Sequence, residues 1–195
     1  MWKKKLLIPM FLIFNLLLTS CDGESQGETK QVNKTSNESN EKTSVIDKLP
    51  DFPISLNSFV DNYNANENGL ENLTLVTDPS ELEFEVFNKN QGFMKKLINE
   101  NKGDVQYDLL AIFDNDKKFK RLIFDVTAPN GATPESISVI TNTFYTLGID
   151  PNYLNDFLQS DESDMEFTDN GYKVNLMFEP SIGFLNATID KDEQD

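Results

Sequence analysis

The stretch from Val105 to Thr127 constrains the fold most. Val105 to Phe113 carries Tyr107, Leu109, Leu110 and Ile112, and Phe119 to Thr127 carries Leu122, Ile123, Phe124 and Val126. The polar run Asp114-Asn115-Asp116-Lys117-Lys118 lies between them. Two apolar runs joined by a short polar connection read as paired antiparallel strands. Mixed runs of this kind suit the middle of a sheet.

The rest of the chain from Asp51 is read around that hairpin. Leu56, Phe59, Val60 and Tyr63 recur at helical spacing, with Ser55 or Asn57 as N-cap and a stop in the Asn64-to-Gly69 run. Leu73 to Val76 is expected to be a short strand. Leu82, Phe84 and Val86 alternate with Glu81, Glu83 and Glu85, a strand with one buried and one acidic face. Phe93 to Ile98 is expected as a further strand. After the hairpin, Thr133 caps a helix that has Pro134 at its first position and Glu135 at its positive end. Ile137, Ile140, Phe144 and Leu147 form its stripe, and Gly148 stops it. A short helix follows from Asp150-Pro151 to about Gln159, with Tyr153, Leu154, Phe157 and Leu158 inward. Met165 to Phe167, Tyr172 to Phe178 and Ile182 to Ile189 read as strands, the first two joined by the hairpin turn Asp169-Asn170-Gly171. The tail from Asp190 is charged and expected to fray.

The order is helix, strands, helices, strands, and the connections are hairpin-length. This predicts one α+β domain over 49–195, an antiparallel sheet with helices packed on one face. The element order resembles that of β-lactamase-inhibitor-like and cystatin-like domains, in which helices cradle a curved sheet. No motif accompanies the resemblance, so it implies no function.

The front of the chain is of another kind. Lys3, Lys4 and Lys5 precede an apolar segment, Leu6 to Leu18, and the small residues Thr19 and Ser20 precede Cys21, the only cysteine. A positive start, a short apolar middle and small residues at the end make a secretory signal over 1–20. The apolar run is short for a membrane span, which needs about 20 residues. Leu18-Thr19-Ser20-Cys21 resembles the lipobox of bacterial lipoproteins. That resemblance implies cleavage before Cys21 and a diacylglyceryl group on its thiol, with the protein held on the outer face of the cell membrane. Two acyl chains hold a protein stably where one does not. The abundance of Asn, Lys, Ile and Phe is similar to that of proteins from low-GC Gram-positive bacteria. Residues 22–48 are polar apart from Val32, Val45 and Ile46. They are expected to be a disordered tether of roughly 30 Å end to end.

Charge and residue usage narrow the function. Removing the signal takes away three lysines and leaves 14 basic against 33 acidic residues, a net of −19. Such a surface is repelled by nucleic acid and anionic head groups and favours cationic partners. The chain has no histidine and no cysteine beyond Cys21. That excludes Ser-His-Asp and Cys-His catalysis, the common transition-metal sites and an internal disulfide. No cofactor is expected. The densest acidic run, Asp161, Glu162, Asp164 and Glu166 with Asp169 beyond, is the candidate binding patch. Asp114-Asn115-Asp116 resembles half a calcium loop, but it lacks the glycine and distal glutamate of that motif. It is read as a turn. Arg121, the only arginine, is expected to pair with an acid across the sheet. The expected function is a non-enzymatic, membrane-anchored lipoprotein presenting an acidic domain to an envelope protein or small ligand. The alternatives are a carboxylate-dependent envelope hydrolase and an inhibitor or immunity-type protein.

Overall fold

The computed structural model describes residues 44–89, 91–129 and 131–193. The signal, Cys21 and the tether as far as residue 43 lie outside the described residues. Among the described residues there are seven strands and three α-helices: α1 (Leu56–Ala65), β1 (Glu85–Phe87), β2 (Gly92–Lys102), β3 (Val105–Phe113), β4 (Phe119–Thr127), α2 (Pro134–Leu147), α3 (Asn152–Gln159), β5 (Asp164–Asp169), β6 (Tyr172–Glu179) and β7 (Phe184–Lys191). The strands form one open antiparallel sheet in the order β1-β2-β3-β4-β7-β6-β5. The chain is an α+β fold of the order read from the sequence. β3, the polar connection and β4 fall where the hairpin reading put them.

Register sorts the side chains onto two faces. On one, Leu109, Phe124, Ala187, Leu176 and Met165 share a row across five strands, and Ala111, Leu122, Ile189, Val174 and Phe167 share the next. These rows join Phe59 and Tyr63 of α1, Ile140 and Phe144 of α2, and Leu154 and Phe157 of α3 in one apolar cluster. All three helices therefore cover the same face. On the other face the rows read Ile112, Arg121, Asp190, Lys173, Thr168, then Leu110, Ile123, Thr188, Asn175, Glu166, then Asp108, Asp125, Asn186, Met177, Asp164. Period two along each strand turns a mixed sequence into one apolar surface and one that is apolar at Leu110, Ile112 and Ile123 and polar toward β5.

The helices end where local chemistry ends them. Ser55 accepts from the Ser58 N–H at the start of α1, and Asn66 closes it in the left-handed region. Thr133 and Ser136 cap α2 reciprocally, and Gly148 stops it at φ 69°. α2 buries more than a stripe: Val139, Asn142 and Thr143 are also enclosed. The reason is α1, whose Tyr63 carbonyl accepts from Asn142 Nδ2 at 2.9 Å.

Several expectations are corrected. Leu73 to Val76 is extended but joins no strand pair. Asn64 holds both main-chain groups of Val76, at 2.8 and 2.9 Å, and the Tyr63 hydroxyl donates to Thr74 O. Side chains thus take the hydrogen bonds a neighbouring strand would have made. The alternation Leu82, Phe84, Val86 yields only three strand residues, with Phe84 and Val86 36% and 56% exposed. Phe84 packs edge-on against Phe93 and Phe113, with Lys95 and Lys117 over its ring, instead of entering the core. Leu158 faces outward at the end of a helix whose buried residues are Leu154 and Phe157. Ile182 lies in the turn before β7. Asp190 and Lys191 are part of β7, not a frayed tail, because Arg121 holds Asp190 in a two-pronged pair.

The fold also begins earlier than Leu49. Ile46–Lys48 is a 3-10 turn, and Ile46 is 2% exposed. Asp47 accepts from the main-chain and side-chain N–H of Asn115 in the β3–β4 connection. With the Ser44 N–H, the Asn115 N–H keeps the Asp47 carboxyl at about 2, below its ordinary value. Lys120 is buried with its Nζ on Leu49 O, Asp51 and Asp114, and Phe52 N donates to Phe119 O. This N-terminal strap crosses the hairpin end of the sheet and finishes with Phe52 against Phe119 and Tyr172.

Two glycines test the turns that set the register. A Cβ on Gly183 (φ 63°) would lie 1.8 Å from the carbonyl oxygen of Ala128, whereas one on Gly69 (φ 62°) meets nothing within 4 Å. Gly69→Ala should cost about 1 kcal/mol for its left-handed backbone alone. Gly183→Ala should cost several times that, read as the shift in urea unfolding midpoint. Equal shifts would contradict the close approach of β7 to the end of β4.

Candidate functional site

The acidic run Asp161-to-Asp169 is divided by the fold. Asp161 and Glu162 sit in the exposed loop after α3. Asp164 and Glu166 belong to β5 and project on the side the helices leave uncovered; Glu166 pairs with Lys173 at 2.9 Å. Asp169 is drawn into the fold, where its Oδ2 accepts from the Asp150 N–H at 2.8 Å and ties β5 to the link between α2 and α3. Four of the five acids therefore line one margin of the sheet, and the fifth is structural. Among the described residues no group of three or more acids converges to hold a metal ion. Asp114 is a turn residue: its Oδ1 accepts from the N–H of Asp116 and of Lys118, and its Oδ2 faces Lys120.

β5 is the last strand of the sheet, and its outer edge is open. Phe178 N donates to Ser163 O, marking 163 and 178 as a hydrogen-bonded pair. Alternation along an antiparallel ladder then turns the main-chain groups of Met165, Phe167 and Asp169 toward β6 and those of Asp164, Glu166 and Thr168 away from the sheet. No backbone hydrogen bond among the described residues reaches those outward groups beyond β5–β6 pairing. The strand is firmly seated, since Phe167 stacks on Tyr153 at 4.1 Å and meets Phe144 edge-on. At its lower end lies a groove of about 540 Å³, lined by Leu49 and Pro50 of the strap and by Glu166, Phe167, Lys173 and Lys191 among others.

The uncovered face holds a second feature that reading the sequence missed. Asp108 and Asp125 stand directly opposite each other on β3 and β4. Asp108 accepts from Asn99 and Gln106, and Asp125 accepts from Asn186 Nδ2 at 2.7 Å. Burial first, then the charge of Asp108, push the Asp125 carboxyl above its ordinary range, while the Asn186 amide opposes the shift. Each is the only acid in its strand. A hairpin closed evenly from Phe113–Phe119 would set Asp108 opposite Phe124; the register shift between Ile112 and Phe113 brings Asp125 there instead. Arg121, two rows nearer the hairpin turn, is engaged by Asp190 through two contacts of 2.6 Å, the cross-strand role its position suggested. The uncovered side thus offers a cation or a hydrogen-bond donor one opposed carboxylate pair and one acidic, unpaired edge. Comparison with family models, curated proteins and solved structures gives no match to this chain.

The Asp108–Asp125 pair carries a pH signature. A carboxyl whose pKa rises on folding favours the folded state while it stays protonated. That contribution is present below its unfolded value and is lost as pH rises through its folded value. Asp125→Asn removes one of two opposed like charges. It should stabilise the protein at pH 7 by about 1 kcal/mol, the scale of a cross-strand pair, and the gain should vanish below about pH 4. Thermal melts of both proteins across that range check it; a loss of stability at pH 7 would contradict it.

Proposed function

We propose that the chain is a non-enzymatic lipoprotein held on the outer face of the cell membrane by acyl chains on Cys21, and that its acidic domain binds a cationic partner of the envelope. The observation that carries the reading is the one-sided cover of the sheet. All three helices spend their apolar faces on one side, and on the other side the β5–β6 margin is exposed, with Asp164 and Glu166 outward. A net charge of −16 makes such a surface attract basic groups and repel anionic ones. The strap fixes where the chain enters the domain, fastening that entry to the β3–β4 connection. No described helix is long and apolar enough to cross a membrane. Should the partner be a basic enzyme, the chain would act as an inhibitor or immunity-type protein through the same surface.

A carboxylate-dependent hydrolase is the second reading. The placement of Asp125, its carboxyl raised by burial, directly opposite Asp108 favours it, because acid–base work needs a second carboxyl beside a raised one. Turnover of an envelope glycan that disappears in Asp108→Asn and Asp125→Asn would establish it.

The anchor is tested in the producing cell. Labelled palmitate should enter the wild-type protein, which should fractionate with membranes; Cys21→Ser should carry no label and appear in the soluble fraction. Firm membrane retention of Cys21→Ser would overturn the anchor. The partner class is tested with poly-lysine. Binding should weaken steeply as salt rises past about 0.1 M, where screening acts within about 10 Å. Absence of binding at low salt would overturn the cationic partner.

A further inference from the structure

We propose that the outer edge of β5 receives an extended cationic segment of the partner as an added antiparallel or parallel strand. This rests on the reading of the domain as a binder of cationic partners and names the place and manner of binding. The main-chain N–H and C=O groups of Asp164, Glu166 and Thr168 point away from the sheet and are unused by any other described backbone. Exposed edges of this kind are templates for another chain. The opposite margin is different: β1 is only three residues long, and the extended segment before it lies along β2, with Thr77 N on Leu97 O.

The edge is also preformed. Phe167 is fixed between Tyr153 and Phe144, and Asp169 is bonded to the α2–α3 link. An incoming strand therefore does not have to order β5, which removes one cost of association. Charge selects the occupant. Asp164 and Glu166 project on one side of the edge, and Asp161 and Glu162 precede it. A second copy of this chain would set Asp164 and Glu166 against the same residues, and like charges across a strand pair are unfavourable. A segment with lysine or arginine at every second residue would bring its charges over those carboxylates. Its alternate apolar residues would lie on the helix side, beside Met165 and Phe167. The Glu166–Lys173 contact does not stand in the way, because an exposed pair of this kind is weak.

The test uses the full chain and an eight-residue peptide alternating lysine and valine. Two controls are the same peptide N-methylated at alternate residues, on its hydrogen-bonding edge, and a glutamate-valine version. The unmethylated lysine peptide should bind and should slow amide hydrogen exchange at Asp164, Glu166 and Thr168, leaving Met165 and Phe167 unchanged. N-methylation should weaken binding by at least about tenfold, and the glutamate version should not bind. Glu166→Lys should weaken binding, while the exchange pattern of the wild-type chain makes the test independent of how that variant folds. Three results would overturn strand addition while leaving the cationic-partner reading intact: equal binding of the methylated peptide, binding without protection of the three amides, or failure of the lysine peptide where poly-lysine binds. Failure of the lysine peptide and poly-lysine alike would overturn both.

Discussion

The pairing of β4 with β7 holds this molecule together. It joins β1–β4 to β5–β7, and every other strand pair is a hairpin between neighbours in sequence. Leu122 meets Ile189, Phe124 meets Ala187 and Val126 meets Leu185 on the helix side, all close to fully buried. Arg121–Asp190 and Asp125–Asn186 fasten the same pair of strands from the uncovered side. The two halves meet only after α2, α3 and two further strands have been laid down. The closing contact is therefore long-range, and its loop must be ordered before the contact rewards it. α2 and α3 make that crossover worthwhile by covering the sheet they span.

Covering one face takes most of the buried apolar residues, and Ile46 and Ile112 are buried outside that cluster. The helices bury Phe59, Phe144, Phe157 and their neighbours against alternate residues of the strands. No fourth helix is described that could cover the side bearing Asp108, Asp125, Asn186 and Met177. The polar groups of that side answer one another: its carboxylates accept from Asn and Gln amides, and Arg121 donates to Asp190. The same economy leaves β5 as an edge, and Asp164 and Glu166 on it discourage self-association. A surface that resists its own copies and repels anions is a selective one, which is the physical basis for reading the domain as a binder of cationic chains.

Much of this was legible in the residues. β3 and β4 announced themselves because both carry long apolar runs around a polar connection, and α2 because Thr133, Pro134 and Gly148 punctuate it. What misled was alternation at the margins. Leu82, Phe84 and Val86 have the period of a strand, yet the aromatic packing of Phe84 and the two lysines above it took precedence. Leu73 to Val76 has strand residues but lost its partner to Asn64 and Tyr63, a competition no local pattern reveals. Ile46, a single apolar residue in a polar run, belonged to the fold because Asp47 could reach Asn115 across a large sequence separation. The acidic run at 161–169 was visible, but its division between an open edge and a structural Asp169 depends on where β5 sits in the sheet. The Asp108–Asp125 pair required register as well as composition.

The claim on which these readings converge is that the sheet ends at β5 with one set of main-chain groups facing outward. Amide hydrogen exchange resolved by residue in the free protein measures this directly. Met165, Phe167 and Asp169 should exchange slowly while Asp164, Glu166 and Thr168 exchange quickly, and β4 and β7 should be slow at consecutive residues because both their edges are paired. Uniformly slow exchange along β5 would mean that its outer edge is covered, and the account would be contradicted.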